Sequence, residues 1–331
     1  MRLKHTSKLL TVSLVWVAVC FVLRVATDLD DRPTLGFALV LISSAAVGIC
    51  ATIGESTAVG FIKALSPGVL VGWGSGTGIA GLTGGGGYLA LKSAGVQFKT
   101  VNTPDLPQIS LLLLPVPLLF YLAFRTIVSR IGNEQSIPKD RLEQLEKEEA
   151  MINEQLDWST FKTVFRKVGG PISNLTAVYY FEYSILTSFA ERAHPKSDEA
   201  SGDWWQENAF IILGLCYQVG VFVSRSSLSY FKLKQLWILT TIQGFNYLLF
   251  FSVAYYKWMQ LRYQLPLMVW VGLMGGTGYV NSYYQMLQTP ELTKSLREIA
   301  INLAGAAITL GLLAAAGTAV FVSNFVIVTP N

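Results

Sequence analysis

The sequence predicts an all-α polytopic membrane protein. Of its 331 residues, 52% are hydrophobic and only 14% are charged, with a mean hydropathy of +0.45. Soluble domains contain about 25% charged residues, so a soluble chain this apolar would lack the polar surface to cover itself. A bilayer-spanning helix needs about 20 apolar residues. Runs of that kind occupy residues 9–26, 35–65, 68–90, 106–128, 168–189, 208–224, 236–255, 265–286 and 299–328, which predicts about nine spans.

Two features refine these runs. The second and the last are longer than a span requires, so each is expected to tilt or to contain a break. Tryptophans lie near the ends of several runs, where aromatic side chains anchor helices at the membrane–water boundary. They are Trp73, Trp204, Trp205, Trp237, Trp258 and Trp270.

Basic residues predict the orientation. Cytoplasmic loops are enriched in Lys and Arg, and placing residues 1–8 in the cytoplasm puts most of the 25 basic residues on that side. The N-terminus is therefore predicted to be cytoplasmic. The alternative is a cleaved signal peptide over residues 1–26. A retained span is favoured, because Arg24 falls where a cleavage site needs small residues.

One long polar interval, residues 129–160, separates four predicted spans from five. The interval predicts an N-terminal helical bundle over residues 1–128 and a C-terminal bundle over residues 168–331. Between them, residues 129–167 are predicted to form a cytoplasmic linker with an amphipathic helix.

The end of this linker carries an amphipathic pattern. Three aromatic residues recur at helical spacing, and three basic residues lie among and after them. Such a stripe fits a helix that lies on an anionic membrane leaflet, and it fits a solvated linker helix equally well. The residues are Trp158, Phe161, Phe165, Lys162, Arg166 and Lys167.

The third run is rich in glycine. Small residues recur at every fourth position from Gly68 to Gly84, which favours close helix packing because lipid provides little drive for helix association. Glycine also weakens helices, so local unwinding over residues 75–78 would offer backbone groups to a solute. A G-x-G-x-x-G match here does not indicate a dinucleotide site, since no strand precedes it. The candidate cavity or packing residues are Trp73, Ser75, Gly76, Thr77, Gly78 and Gly81.

Two of the 21 acidic residues, Glu55 and Glu182, lie well inside predicted spans. An ionised carboxylate in hydrocarbon is costly, so such a residue normally faces a cavity or pairs with a cation. Both are therefore candidate proton- or substrate-binding groups. The alternative is a structural ion pair or a hydrogen-bonded carboxylic acid.

Further polar residues lie in or at the ends of the sixth and eighth runs. Arg225 ends the sixth run, where its guanidinium suits a carboxylate or phosphate group, although arginine at a span end also serves as a snorkelling anchor. Gln218 lies two turns earlier. Asn281 closes a glycine cluster over residues 275–281 and is predicted to line a cavity.

These segments resemble those of the battenin family, the endolysosomal membrane proteins of juvenile neuronal ceroid lipofuscinosis and their fungal vacuolar relatives. The matching pieces occur in family order and include Glu55, Glu182, Gln218, Arg225 and Asn281. They are residues 54–55, 73–82, 181–183, 217–227 and 275–281. Relatives begin about two spans earlier, so the chain is expected to lack the first two family spans.

The resemblance implies a fold similar to the major facilitator superfamily, with two helical bundles around a central cavity. It also implies residence in a lysosomal or vacuolar membrane and a part in organelle pH homeostasis. Fungal members are linked to transport of basic amino acids, and animal members to clearance of glycerophosphodiesters.

The function predicted is therefore transport of a small solute by alternating access, with membrane lipid, the solute and protons as partners. A non-transporting scaffold for endolysosomal trafficking is the alternative, and the amphipathic linker would support it. An intramembrane enzyme is not expected, because no activated nucleophile or metal cluster is evident. With three dispersed cysteines and two histidines, no metal site or cofactor is expected, and a net charge of +4 does not suggest a nucleic-acid partner.

Overall fold

The computed structural model describes residues 2–27, 29, 31–62, 67–94, 114–134, 157–193, 203–292 and 294–327. Within those residues the regular structure is helical, which confirms the predicted all-α class. Nine long helices are described: α1 (Arg2–Thr27), α2 (Pro33–Ile62), α3 (Pro67–Ser93), α4 (Pro115–Glu134), α5 (Trp158–Ser184), α6 (Ala209–Ser226), α7 (Trp237–Tyr256), α8 (Leu261–Gln288) and α9 (Lys294–Phe321).

Each of these helices overlaps one of the nine apolar runs. In the described part of the chain, five are long and apolar enough on their own to cross a membrane, namely α1, α2, α6, α7 and α9. The other four carry more glycine, charged or hydroxyl residues, which lowers their hydropathy. A polytopic membrane protein is confirmed, whereas the count of about nine spans stays a prediction.

The chain divides into two compact units. One consists of residues 1–66 and 90–154, and the other of residues 67–89 and 155–331. Most of α3 thus belongs with the C-terminal helices, although the predicted division placed it in the bundle over residues 1–128. Much of the predicted linker lies outside the described residues.

In the first unit, α1 packs against α2 and α4. The hydroxyl of Ser13 is buried and donates to the carbonyl oxygen of Pro117 over 3.1 Å, which ties α1 to the start of α4. Gly36 allows the start of α2 to approach α1, because a Cβ there would lie 2.9 Å from the carbonyl oxygen of Ala26.

In the second unit, α6 packs along α8, and α5 contacts α7, α8 and α9. Glycine sets the closest approach between α6 and α8. A Cβ at Gly220 would lie 2.7 Å from the amide nitrogen of Leu273, and a Cβ at Gly272 would overlap the carbonyl oxygen of Tyr217. Bulkier residues at either position would push the two backbones apart.

Helix α5 is kinked near its start. Val168 has non-helical angles (φ −118°, ψ 16°), and Pro171 follows within one turn. Proline has no N–H to donate to the carbonyl of residue 167, and its ring crowds that carbonyl, which bends a helix at this point. The kink separates an initial segment, residues 158–167, from the rest of α5, which continues into a π-helical turn at Ile185–Ala190.

Candidate functional site

Glu182 lies on α5 with only 2% of its surface exposed. The hydroxyl of Tyr217 lies beside its carboxyl group, but Oε2 has no hydrogen-bond partner among the described residues. Gly275 on α8 leaves room for this group, because a Cβ there would collide with Oε2. A buried polar atom without a partner is costly and is therefore uncommon in a structural role.

Arg225 lies in the last turn of α6. Its Nη1 donates to Oγ1 of Thr77 over 2.8 Å, and its Nη2 donates to the hydroxyl of Tyr179 over 3.2 Å. The guanidinium carbon lies 4.2 Å from the centre of the Tyr279 ring, a cation–π contact. These contacts hold the arginine inside the second unit, which favours a role within the protein over the snorkelling alternative.

Arg225 and Glu182 act on each other through their charges. In the part of the chain that the structure describes, no direct ion pair joins them. Instead Tyr217 lies beside the acid, and Tyr179 accepts a hydrogen bond from the arginine. The second unit thus holds a buried acid and a half-buried cation that do not touch each other.

The glycine-rich helix α3 contributes to this site through a face different from the predicted one. A Cβ at Gly78 would lie 2.8 Å from Cα of Phe222, and one at Gly81 would overlap the side chain of Gln218. By contrast, a Cβ at Gly72, Gly76 or Gly84 would meet no atom within 4 Å. The series of small residues at every fourth position is therefore not the face that packs against α6.

The predicted unwinding over residues 75–78 is wrong, because α3 is continuous there. The side chains of Ser75 and Thr77 contact residues of α6. Oγ of Ser75 lies 3.0 Å from Oγ of Ser226, and Thr77 receives the bond from Arg225. Nε1 of Trp73 is buried and has no hydrogen-bond partner among the described residues.

Asn281 holds a loop in place. Its Oδ1 accepts from the backbone N–H of Leu233 over 2.7 Å, and its Nδ2 donates to the carbonyl oxygen of Thr277 over 2.9 Å. Both ends of the amide are thus used within the protein. Asn281 fixes the segment between α6 and α7 against α8, and Gln218 fills the space beside Gly81.

Glu55 lies on α2 in the first unit, and its side chain is exposed there. Glu182 and Arg225 lie in the second unit. Within that unit, the structure brings Arg225 together with Thr77, and Gln218 together with Gly81.

Sequence reasoning missed several residues of the site. Tyr179, Tyr217 and Tyr279 lie around the charged pair, and the ring centres of Tyr179 and Tyr279 are 6.3 Å apart. The available signal was the density of tyrosines in three apolar runs.

A buried polar layer beside the site was also missed. Nδ2 of Asn174 donates to Oγ of Ser282 over 2.9 Å, and Thr240 donates to Oδ1 of Asn174 over 2.7 Å. Asn246 donates to Gln243, which in turn donates to the carbonyl oxygen of Val271. Polar residues in apolar runs mark such layers, and this signal could have identified them.

The chain is similar to known proteins over most of its length. The family model described as "CLN3 protein" matches residues 3–328, nearly the whole chain. The chain belongs to the CLN3 protein family. Curated relatives of the CLN3 family that it resembles include Battenin of Dictyostelium discoideum, which is 32% identical over 308 residues, covering 85% of this chain and 72% of the relative.

Other CLN3-family relatives are more distant. Battenin of Canis lupus familiaris is 28% identical over 281 residues, which cover 80% of this chain and 60% of the relative. Protein BTN1 of Saccharomyces cerevisiae is 29% identical over 250 residues, which cover 66% of this chain and 58% of the relative. The chain spans about three fifths to three quarters of these relatives' lengths. The comparisons and the apolar helices together establish a multi-pass membrane protein of the CLN3 family.

Proposed function

We propose that the chain is a solute transporter of the lysosomal or vacuolar membrane. The solutes that the family suggests are basic amino acids such as arginine, or glycerophosphodiesters, with a linked role in organelle pH homeostasis. Transport would proceed by alternating access between two helical bundles in a fold like that of the major facilitator superfamily.

The observation that carries this proposal is the burial of Glu182. A carboxyl group inside a membrane helix, with one oxygen lacking a hydrogen-bond partner among the described residues, is the kind of residue that marks a proton or substrate pathway. Arg225 lies near enough to influence its charge, and tyrosine hydroxyls surround both. In this proposal Glu182 binds the proton and Arg225 binds an anionic group of the solute. No enzymatic step is part of it.

The test is uptake by proteoliposomes that contain the chain, with radiolabelled arginine and a radiolabelled glycerophosphodiester at a series of pH values. Glu182→Gln keeps the shape of the side chain but cannot ionise, so flux should lose its pH dependence. Glu191→Gln is the matched control, because Glu191 is exposed and, among the described residues, pairs with its neighbour Arg192 at 3.4 Å. Unchanged pH dependence in Glu182→Gln, with both variants folded, would refute the role of Glu182.

A trafficking scaffold is the second candidate, and the exposed aromatic and basic residues at the start of α5 favour it. A scaffold needs no solute site. If the wild-type chain neither transports nor binds either solute in purified form, the scaffold is preferred over the transporter.

A further inference from the structure

The first segment of α5, residues 158–167, has the features of an interfacial helix. Asp157 caps it, since its carboxylate accepts from the backbone N–H of Trp158 over 2.7 Å and from the Ser159 hydroxyl over 2.8 Å. These hydrogen bonds, that of Ser159 first, hold the pKa of Asp157 below its usual range. The segment ends at the kink at Val168, where the chain turns into the predicted span.

One face of this segment is buried and its flank is aromatic. Val164 and Val168 are fully buried. Trp158 and Phe165 are 67% and 45% exposed, and both stack on Phe161 with ring centres 5.0 Å and 6.3 Å apart. The result is a row of rings along the outer edge of the contact with the protein.

Next to this aromatic row lie exposed cations. Lys162 and Arg166 are both exposed and lie beside the rings. Lys162 is four residues after Trp158, and Arg166 directly follows Phe165. The segment contains no acidic residue, and within the described ranges no carboxylate pairs with either cation. Aromatic and positive side chains therefore share one outward surface.

Lys167 lies on the opposite flank and fixes the helix. Its Nζ donates to the carbonyl oxygen of Glu291 over 2.9 Å, just beyond the end of α8. The segment is thus held against the end of a second long helix at a defined angle. A surface that is held in this way presents its rings and cations in a constant direction.

We propose that Trp158, Phe161, Phe165, Lys162 and Arg166 form a binding surface for an anionic phospholipid leaflet. Aromatic rings partition into the boundary between headgroups and acyl chains, and neighbouring Lys and Arg are attracted to anionic headgroups. The kink places this surface directly before a predicted membrane entry, which favours lipid over a soluble protein as its occupant. The proposal does not depend on solute transport.

The test measures the depth of a nitroxide label at position 158. Trp158→Cys is made in a chain whose Cys20, Cys50 and Cys216 are replaced by alanine, labelled, and reconstituted in phosphatidylcholine vesicles with and without phosphatidylserine. Paramagnetic resonance then compares the accessibility of the label to oxygen, which concentrates in lipid, and to a nickel chelate, which stays in water. Thr163→Cys is the matched control, because Thr163 is exposed and lies on a flank of the helix away from the aromatic row. Phe165→Cys serves as a second labelling site if Trp158→Cys does not fold.

The proposal predicts that the label at 158 favours oxygen and that the label at 163 favours the nickel chelate. Phosphatidylserine should raise the oxygen preference at 158, and Lys162→Gln with Arg166→Gln should abolish that increase. Nickel access at both positions in both lipids would overturn the proposal. An immobile label at 158 that is shielded from both reagents would also overturn it, because it would indicate a protein partner. A label depth that is the same with and without phosphatidylserine would overturn it as well.

Discussion

At the scale of single residues, Arg225 shows how the site depends on side-chain shape as well as charge. Its guanidinium makes two hydrogen bonds, to Thr77 and Tyr179, and lies over the ring of Tyr279. A lysine ammonium is a compact charge that cannot make the same planar set of contacts. The contacts join α3, α5, α6 and α8, so the residue links four helices.

We therefore predict that Arg225→Lys destabilises the second unit by about 2 kcal/mol, since hydrogen bonds from a charged donor each contribute about 1.5–3 kcal/mol. Unfolding of the purified chain in detergent by heat or by sodium dodecyl sulfate measures this. Arg262→Lys is the control, because Arg262 is exposed and its guanidinium lies over Tyr263 of its own helix at 4.8 Å. Equal stability of the two variants would contradict the linking role of Arg225.

At the scale of helices, glycine position decides which elements can approach. Gly220 on α6 faces α8, and Gly272 on α8 faces α6, so the contact between these helices is made by backbone atoms. Gly214 lies on the same helix α6, yet a Cβ there would meet no atom within 4 Å. Gly214 and Gly220 are both flanked by apolar residues, so the local sequence does not distinguish the glycine in the helix contact from the one outside it.

Gly220→Ala should therefore lower the free energy of unfolding by about 1–3 kcal/mol, the usual range for overpacking a tight contact. Gly214→Ala should leave it unchanged or raise it slightly, because alanine favours the helix. Both variants can be compared in the same unfolding assay. A Gly220→Ala protein as stable as the wild type would show that α6 and α8 are not in backbone contact.

At the scale of the whole molecule, three segments of the second unit lie together at one of its ends. Nε2 of Gln285 donates to the carbonyl oxygens of Leu233 and Lys234, and Lys167 bonds to Glu291. The start of α5, the segment between α6 and α7 and the end of α8 therefore lie at one end of the unit. The orientation prediction assigns all three to the cytoplasm.

We predict that this end faces the cytoplasm. Lys234→Cys, in a chain without other cysteines, should react with a membrane-impermeant maleimide in intact vacuoles or lysosomes. Asp203→Cys should react only after the membrane is permeabilised, because the segment before α6 is predicted to be lumenal; both native residues are exposed. The opposite labelling pattern would reverse the orientation, and labelling of both in intact organelles would contradict the spans between them.

The sequence by itself determined the class, the positions of nine helices, the family and the unusual character of Glu182 and Arg225. Those follow from composition, apolar run length and isolated charge, which are local properties of the chain. Only the tertiary structure decided that Gly78 and Gly81, and not Gly76, pack against α6. The structure also showed that Asn281 on α8 binds the segment between α6 and α7, and that tyrosines lie around the charged pair. The reason is that a helix offers several faces of similar composition, and the face that is used depends on neighbours distant in sequence.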